Sequence, residues 1–281
     1  MFTELRFGVR RLRGRTLGWG IGLGLYGLLM IALYEDVAQI DMRSYLQAFP
    51  EEFMGFFTGI TELGTPRGYL DTYYFNYMTL IVGIMAVGVG AGLLVSQEER
   101  GVLDLLLAHP ITRTALFWGR YVSLLLMLAI VLLLGQLGWI LPPQSANMEI
   151  TWVQFMMPCL PLWAVLVLFG TLALLLSMAL PSGRLAGMVS GTLLVANYLL
   201  KGIANLNPDL ERLIAFTPLH YYQGGYAVEG LEWGWVAGLM AGSLVLALAA
   251  WALFVRRDIR VGGEHEWRLF GGRRGNGAKE S

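Results

Sequence analysis

The sequence offers few side chains that could make or break bonds. Its three histidines are His109, His220 and His265, and its one cysteine is Cys159. A zinc hydrolase needs two histidines one helical turn apart with a glutamate between them, so that both imidazoles meet the metal from one face. His265-Glu266 is followed by Trp267 and Arg268, and the second histidine is missing. The acidic pair Glu98-Glu99 followed by Arg100 could serve an intramembrane metalloprotease, but that chemistry also needs histidines within later apolar segments, and none occur there. There is no G-x-S-x-G elbow for a serine nucleophile and no G-x-x-x-x-G-K-[ST] loop to cradle phosphates. Cys159 sits in an apolar run and reads as a packing residue. The chain is therefore expected not to be an enzyme and to bind no metal or cofactor of its own.

The elements that hold these residues follow from composition. Of 281 residues, 56% are hydrophobic and 14% charged, where a soluble domain carries about a quarter. The mean hydropathy is +0.58, and 20 basic residues balance 20 acidic ones. Disorder, a disulfide scaffold and nucleic-acid binding by a basic surface are excluded. A soluble fold of this length would lack the polar surface to cover itself. Long charge-free runs instead predict an all-α polytopic membrane protein. One transmembrane domain covers residues 1–256, with six helices at roughly 16–34, 74–97, 115–140, 158–181, 184–204 and 233–255. Residues 257–281 form a basic, Gly-rich, partly mobile tail.

Charge placement orients these helices. Arg6, Arg10, Arg11, Arg13 and Arg15 precede the first span, Arg100, Arg113 and Arg120 lie between the second and third, Arg184 between the fourth and fifth, and Arg256 and Arg257 open the basic tail. Only Arg43, Arg67, Lys201 and Arg212 fall on the other face. The positive-inside rule then makes both termini cytoplasmic. The zero net charge hides two opposite surfaces. Lys201 and Arg184 are expected to snorkel to opposite surfaces, and Tyr73, Tyr74, Tyr77, Trp139, Trp152, Trp163, Trp233 and Trp235 to anchor span ends at the headgroups. In the segment Phe2–Arg15, Leu5, Val9 and Leu12 recur beside Arg6, Arg10 and Arg13, the pattern of an amphipathic helix lying on the inner leaflet. Residues 35–71 make an acidic outer loop with short helices around Tyr45–Phe57. The aromatic stretch containing Pro218, His220, Tyr221 and Tyr222 is expected to dip back toward the bilayer as an outer re-entrant loop or to pack on the outer ends of the spans, with His220 a packing residue. Glycines four apart, at Gly20/Gly24, Gly88/Gly92, Gly187/Gly191 and Gly234/Gly238/Gly242, mark faces where helices can approach closely.

One segment does not fit a simple inner loop. Between spans two and three the chain reads SQEERGVLDLLLAHPITRTALFWGR. Val102, Leu103, Leu105, Leu106 and Leu107 form an apolar helical turn on the cytoplasmic side. Such a turn needs the bilayer surface, the protein's own helices or a soluble partner to bury it. Thr112 or Thr114 can cap the third span, and Arg113 and Arg120 hold its start at the inner surface.

The run Glu98-Glu99-Arg100-Gly101-Val102-Leu103-Asp104-Leu105-Leu106-Leu107, followed by His109-Pro110-Ile111-Thr112-Arg113, resembles the ABC-2-type permeases of ABC transporters. Those carry an acidic pair, a glycine, a Thr-Leu-Glu/Asp-Leu-Leu-Leu core and a Pro-Val-Ser-Arg end. Here Val102 replaces the threonine and Ile111-Thr112 the Val-Ser. The basic N-terminus, six spans and the Pro-Leu-His-Tyr-Tyr stretch fit as well. The resemblance implies a permease subunit, with a second permease copy or homologue, that forms the substrate pathway in a prokaryotic cytoplasmic membrane. It implies export driven by two copies of a separate cytoplasmic ATPase, which would hold the ATP and Mg²⁺. It also implies a coupling helix in this loop. Leu103, Leu106 and Leu107 would make its apolar contacts. Glu98, Glu99, Arg100, Asp104 and Arg113 would supply polar contacts or hold the loop, with Gly101 and Pro110 shaping it. A secondary transporter or channel is the alternative, disfavoured because the spans are nearly free of charge. A structural membrane protein is another.

Overall fold

Lipid offers backbone amides no partners, so an apolar run must satisfy them within itself. A computed structural model describes residues 2–38, 62–98, 112–142, 147–205 and 210–256. Those residues are helical apart from turns, and six helices are long and apolar enough to cross a membrane: Glu4–Ala32, Pro66–Gly92, Arg113–Ile140, Trp152–Ala179, Gly183–Ala204 and Trp233–Arg256. We label the corresponding elements α1 (Phe2–Ala32), α2 (Pro66–Gly92), α3 (Arg113–Ile140), α4 (Cys159–Ala179, preceded by the short helix Trp152–Met156), α5 (Gly183–Ala204) and α6 (Trp233–Arg256). Six such helices are what the charge-free runs led one to expect. The tail and Tyr45–Phe57 lie outside the described residues.

The first span departs from expectation in one respect. No break separates an interfacial helix from it, because Phe2–Ala32 is one α-helix of 31 residues. At 1.5 Å per residue it is about 46 Å long, well beyond a hydrocarbon core of about 30 Å. Its arginine-bearing half therefore continues the span instead of starting a new element. The buried positions Glu4, Gly8, Leu12, Thr16, Gly20, Leu23, Gly27 and Ile31 form one stripe at intervals of mostly four. That stripe packs along α3. A Cβ at Gly20 would meet the Leu134 side chain at 2.6 Å, and one at Gly27 would meet Trp139 at 2.5 Å. A Cβ at Gly138 would lie 2.6 Å from the Gly24 carbonyl carbon. Residue numbers rise together on both helices, so the two run parallel, as first and third spans of one bundle must.

α4 lies at the centre. Its span is 72% buried, against 28% for α1, 22% for α5 and 28% for α6. It packs against α2, α6, α5 and α3. A helix apolar on every side suits a position enclosed by other helices. At its contact with α2 the backbones nearly touch. A Cβ at Gly90 would sit 2.9 Å from the Gly170 carbonyl carbon. The outer helices turn apolar side chains such as Leu25, Leu193 and Val245 outward.

α2 contains a π-helical turn at Asp71–Phe75. Such a turn shifts the hydrogen-bond ladder and leaves main-chain carbonyls to be satisfied otherwise. Tyrosine hydroxyls from two other elements do this. Tyr26 donates to the Tyr73 carbonyl at 2.5 Å, and Tyr222 to the Phe75 carbonyl at 2.8 Å. Tyr69 in turn donates to the Met30 carbonyl in the last turn of α1 at 2.6 Å. Tyr74 and Trp139, expected at headgroup level, are both fully buried in this aromatic cluster, with ring centroids 5.4 Å apart. Trp152 and Trp233 do remain exposed.

Candidate functional site

The face that carries the N terminus holds the end of α2 and the start of α3, which flank in sequence the segment singled out above. α2 ends at Gly92, and a turn at Leu93–Leu94 leads into the short helix Val95–Glu98. Glu98 closes that helix. Glu99, Arg100, Gly101, Leu103, Asp104, Leu106, Leu107 and Pro110 lie outside the described residues. The chain is described again from Thr112. Its side chain caps α3 by accepting from the Ala115 amide at 3.2 Å, so Thr112 rather than Thr114 starts the span. Thr114 instead accepts from the Trp251 indole at 3.3 Å.

Both flanks of the segment are tied to other spans. On the α2 side, Arg11 of α1 donates to the Ser96 hydroxyl at 2.9 Å. On the α3 side, the Arg113 guanidinium donates to the Val255 carbonyl of α6 at 3.3 Å, and Phe117 packs on Phe254 with centroids 6.0 Å apart. One turn deeper, Arg120 is 1% exposed and pairs with Glu4 of α1 at 3.4 Å. The Phe7 ring lies 4.6 Å from its guanidinium carbon. Arg120 therefore does not hold the start of α3 at the surface, as its position at a span edge suggested. It joins α3 to α1 inside the protein.

The three arginines expected to face the membrane surface, Arg6, Arg10 and Arg13, are all exposed on α1. They lie away from the buried stripe that meets α3.

The opposite face is closed by the stretch before α6. Pro218 opens a 3₁₀ turn over Pro218–Tyr221, and a second runs over Gly224–Val228. The stretch packs on the ends of the spans, one of the two placements its apolar content implied. Gly224 has a φ of +62°, a region that favours glycine. The turn it makes lets the Gly225 amide donate to buried Asp71 at 2.7 Å. Tyr222 is buried, and burial pushes its phenol well above the ordinary range, so the hydroxyl keeps its proton for the Phe75 carbonyl. His220 packs against Tyr221 and Trp235, with centroids 5.0 and 6.0 Å away. Lys201, expected to snorkel outward, donates to the Tyr222 carbonyl at 3.2 Å. Arg67 pairs with Glu62 at 2.6 Å and with Glu229 at 2.6 Å, pinning the start of α2 to this loop.

Sequence reasoning missed Arg120 and Asp71 as interior groups because each stands at the edge of an apolar run, and Glu4 because it lies in the basic segment before the first run. Glu4 carried a signal, as the one acid among the basic residues of the first segment. Two amide side chains within spans tie them to other elements, whereas hydroxyls such as Thr16, Thr79 and Ser243 bond back to their own helix. Gln136 donates to the Phe155 carbonyl at 2.5 Å, and Asn197 accepts from the Leu219 amide at 3.2 Å. No group of three or more histidines, cysteines or acids is placed to hold a metal among the described residues.

The model of the protein family described as "ABC-2 family transporter protein" matches residues 12–223. That range takes in most of α1, all of α2 to α5 and the whole segment between Glu98 and Arg113. No curated protein sequence matches the chain.

Proposed function

The chain belongs to the ABC-2 family of transporter proteins and is a multi-pass membrane permease; on that premise we propose that it couples substrate passage to a separate cytoplasmic ATPase. The observation that carries the proposal is the apolar segment Val102–Leu107, which lies within the matched region between two flanks anchored on four spans. Leu103, Leu106 and Leu107 seat in the ATPase, while Glu98, Glu99, Arg100, Asp104 and Arg113 make polar contacts around them, and Gly101 and Pro110 set the turn. Two ATPase copies serve a pair of permease subunits, and ATP with Mg²⁺ binds there and not on this chain. Closure of the ATPase pair moves the segment, and the ties from Ser96 to Arg11 and from Arg113 to Val255 pass the motion to the spans. The direction is export, across a prokaryotic cytoplasmic membrane, with both termini on the ATPase side.

The test is co-purification with a cytoplasmic ABC ATPase from the same genome, followed by ATP-driven transport in proteoliposomes. Leu106→Asp places a charge in the apolar contact and should release the ATPase while leaving the permease folded. Retained complex with full ATP-driven transport would refute the coupling role. Gradient-driven uptake by the permease alone would refute the ATPase requirement and establish the secondary-transporter alternative.

A further inference from the structure

A polar cleft of about 300 Å³ opens between α1, α2 and α3 on the N-terminal side. Three arginines are among its lining residues, Arg11, Arg15 and Arg120, the last paired with Glu4 at 3.4 Å. Arg120 forms its buried wall, while Arg11 and Arg15 are exposed at the mouth. Small residues keep the space open. A Cβ at Gly88 would meet nothing within 4 Å, and one at Gly92 would touch only the Ser96 Cβ at 3.9 Å. Arg11 is held over the cleft by its hydrogen bond to Ser96. Here the glycine pair Gly88/Gly92 does not bring two helices together but leaves room between them.

Depth and chemistry indicate the occupant. Arg15 is the last charge before the apolar run Thr16–Tyr34, and Ser96 lies near the end of the run Thr72–Gln97. The cleft is therefore at headgroup level, and Gly88 on its lining is exposed. Guanidinium forks match phosphate oxygens in geometry and charge. Basic pockets between spans at this depth suit acidic phospholipid headgroups. We propose that the cleft binds a phosphate-bearing anion, supplied by an acidic phospholipid of the leaflet on the N-terminal side.

The full chain, purified in detergent, would be incubated with phosphatidylglycerol, with phosphatidylcholine, or with inorganic phosphate, and the retained ligand counted by native mass spectrometry. Phosphatidylglycerol should be retained in preference to phosphatidylcholine. Arg11→Gln and Arg15→Gln should each weaken its binding about fivefold, the worth of one arginine near a membrane surface. Gly88→Leu keeps every charge and fills the space, and should abolish the preference. Arg15 and Gly88 are exposed and hold no tie between spans among the described residues, so Arg15→Gln and Gly88→Leu should elute and melt as the parent does and carry the test, while Arg11→Gln also removes the hydrogen bond to Ser96. Equal retention of phosphatidylglycerol by the parent and all three variants would overturn the site. Retention of inorganic phosphate with no preference for phosphatidylglycerol would overturn the lipid as its source.

Discussion

Gly138→Ala tests how α1 and α3 are held together. The added Cβ would stand 2.6 Å from the Gly24 carbonyl carbon and 2.8 Å from its Cα. Carbon atoms rest about 3.5–4.0 Å apart, so the helices must part by about 1 Å at this crossing. The obstacle is backbone, which no rotamer change can move. Overpacking of this kind costs about 1–3 kcal/mol. For a chain of this size that lowers the midpoint of thermal unfolding by roughly 2–12 °C. Gly22→Ala on α1, the helix that Gly138 meets, is the control, since its Cβ would meet nothing within 4 Å. The assay is thermal unfolding of both variants in one detergent, followed by tryptophan fluorescence. Trp139, fully buried against Gly27, reports on this interface directly. The reasoning fails if Gly138→Ala melts with the parent, or if Gly22→Ala falls as far.

Removing the carboxylate of Glu4 leaves the Arg120 guanidinium buried without that counter-charge. Glu4→Gln should cost about 3–5 kcal/mol, and the double change to methionine far less, read as unfolding midpoints of the single and double variants. Asp71→Ala strips a buried amide, that of Gly225, of its acceptor, at about 1–3 kcal/mol. Hydrogen exchange over residues 218–228 should accelerate, and Asp71→Asn, which keeps an acceptor oxygen, should recover much of the protection. Thr112→Ala removes the cap of α3 and should cost about 1 kcal/mol. The loss should appear as faster exchange confined to the first turn of α3, while the rest of the helix stays protected.

The six spans were legible because lipid allows a long apolar run only one outcome. Their depth was legible too, since charges mark the ends of runs. The family motif was legible as a local pattern, Glu98 to Arg113, that needs no fold to be recognised. Partnerships between helices were not. On α1, Gly20 and Gly24 meet α3, while Gly14, Gly18 and Gly22, at the same spacing, face open space. On α2, Gly90 presses on α4 while Gly88 opens the arginine cleft. Periodicity tells which residues share a face, but not what that face meets.

Edge charges divided in the same way. Arg15 and Arg120 both bound apolar runs, yet Arg15 is exposed and Arg120 buried. Depth along a span follows from the chain's own run of charge and apolarity, which is one-dimensional information. Direction around a span depends on which neighbour supplies a counter-charge or a carbonyl. Glu4 reaches Arg120 across 116 positions of separation in sequence, and Gly225 reaches Asp71 across 154. Those meetings exist only once the helices have packed, because close backbone contact at Gly24–Gly138 and Gly90–Gly170 sets which side chains are brought into reach.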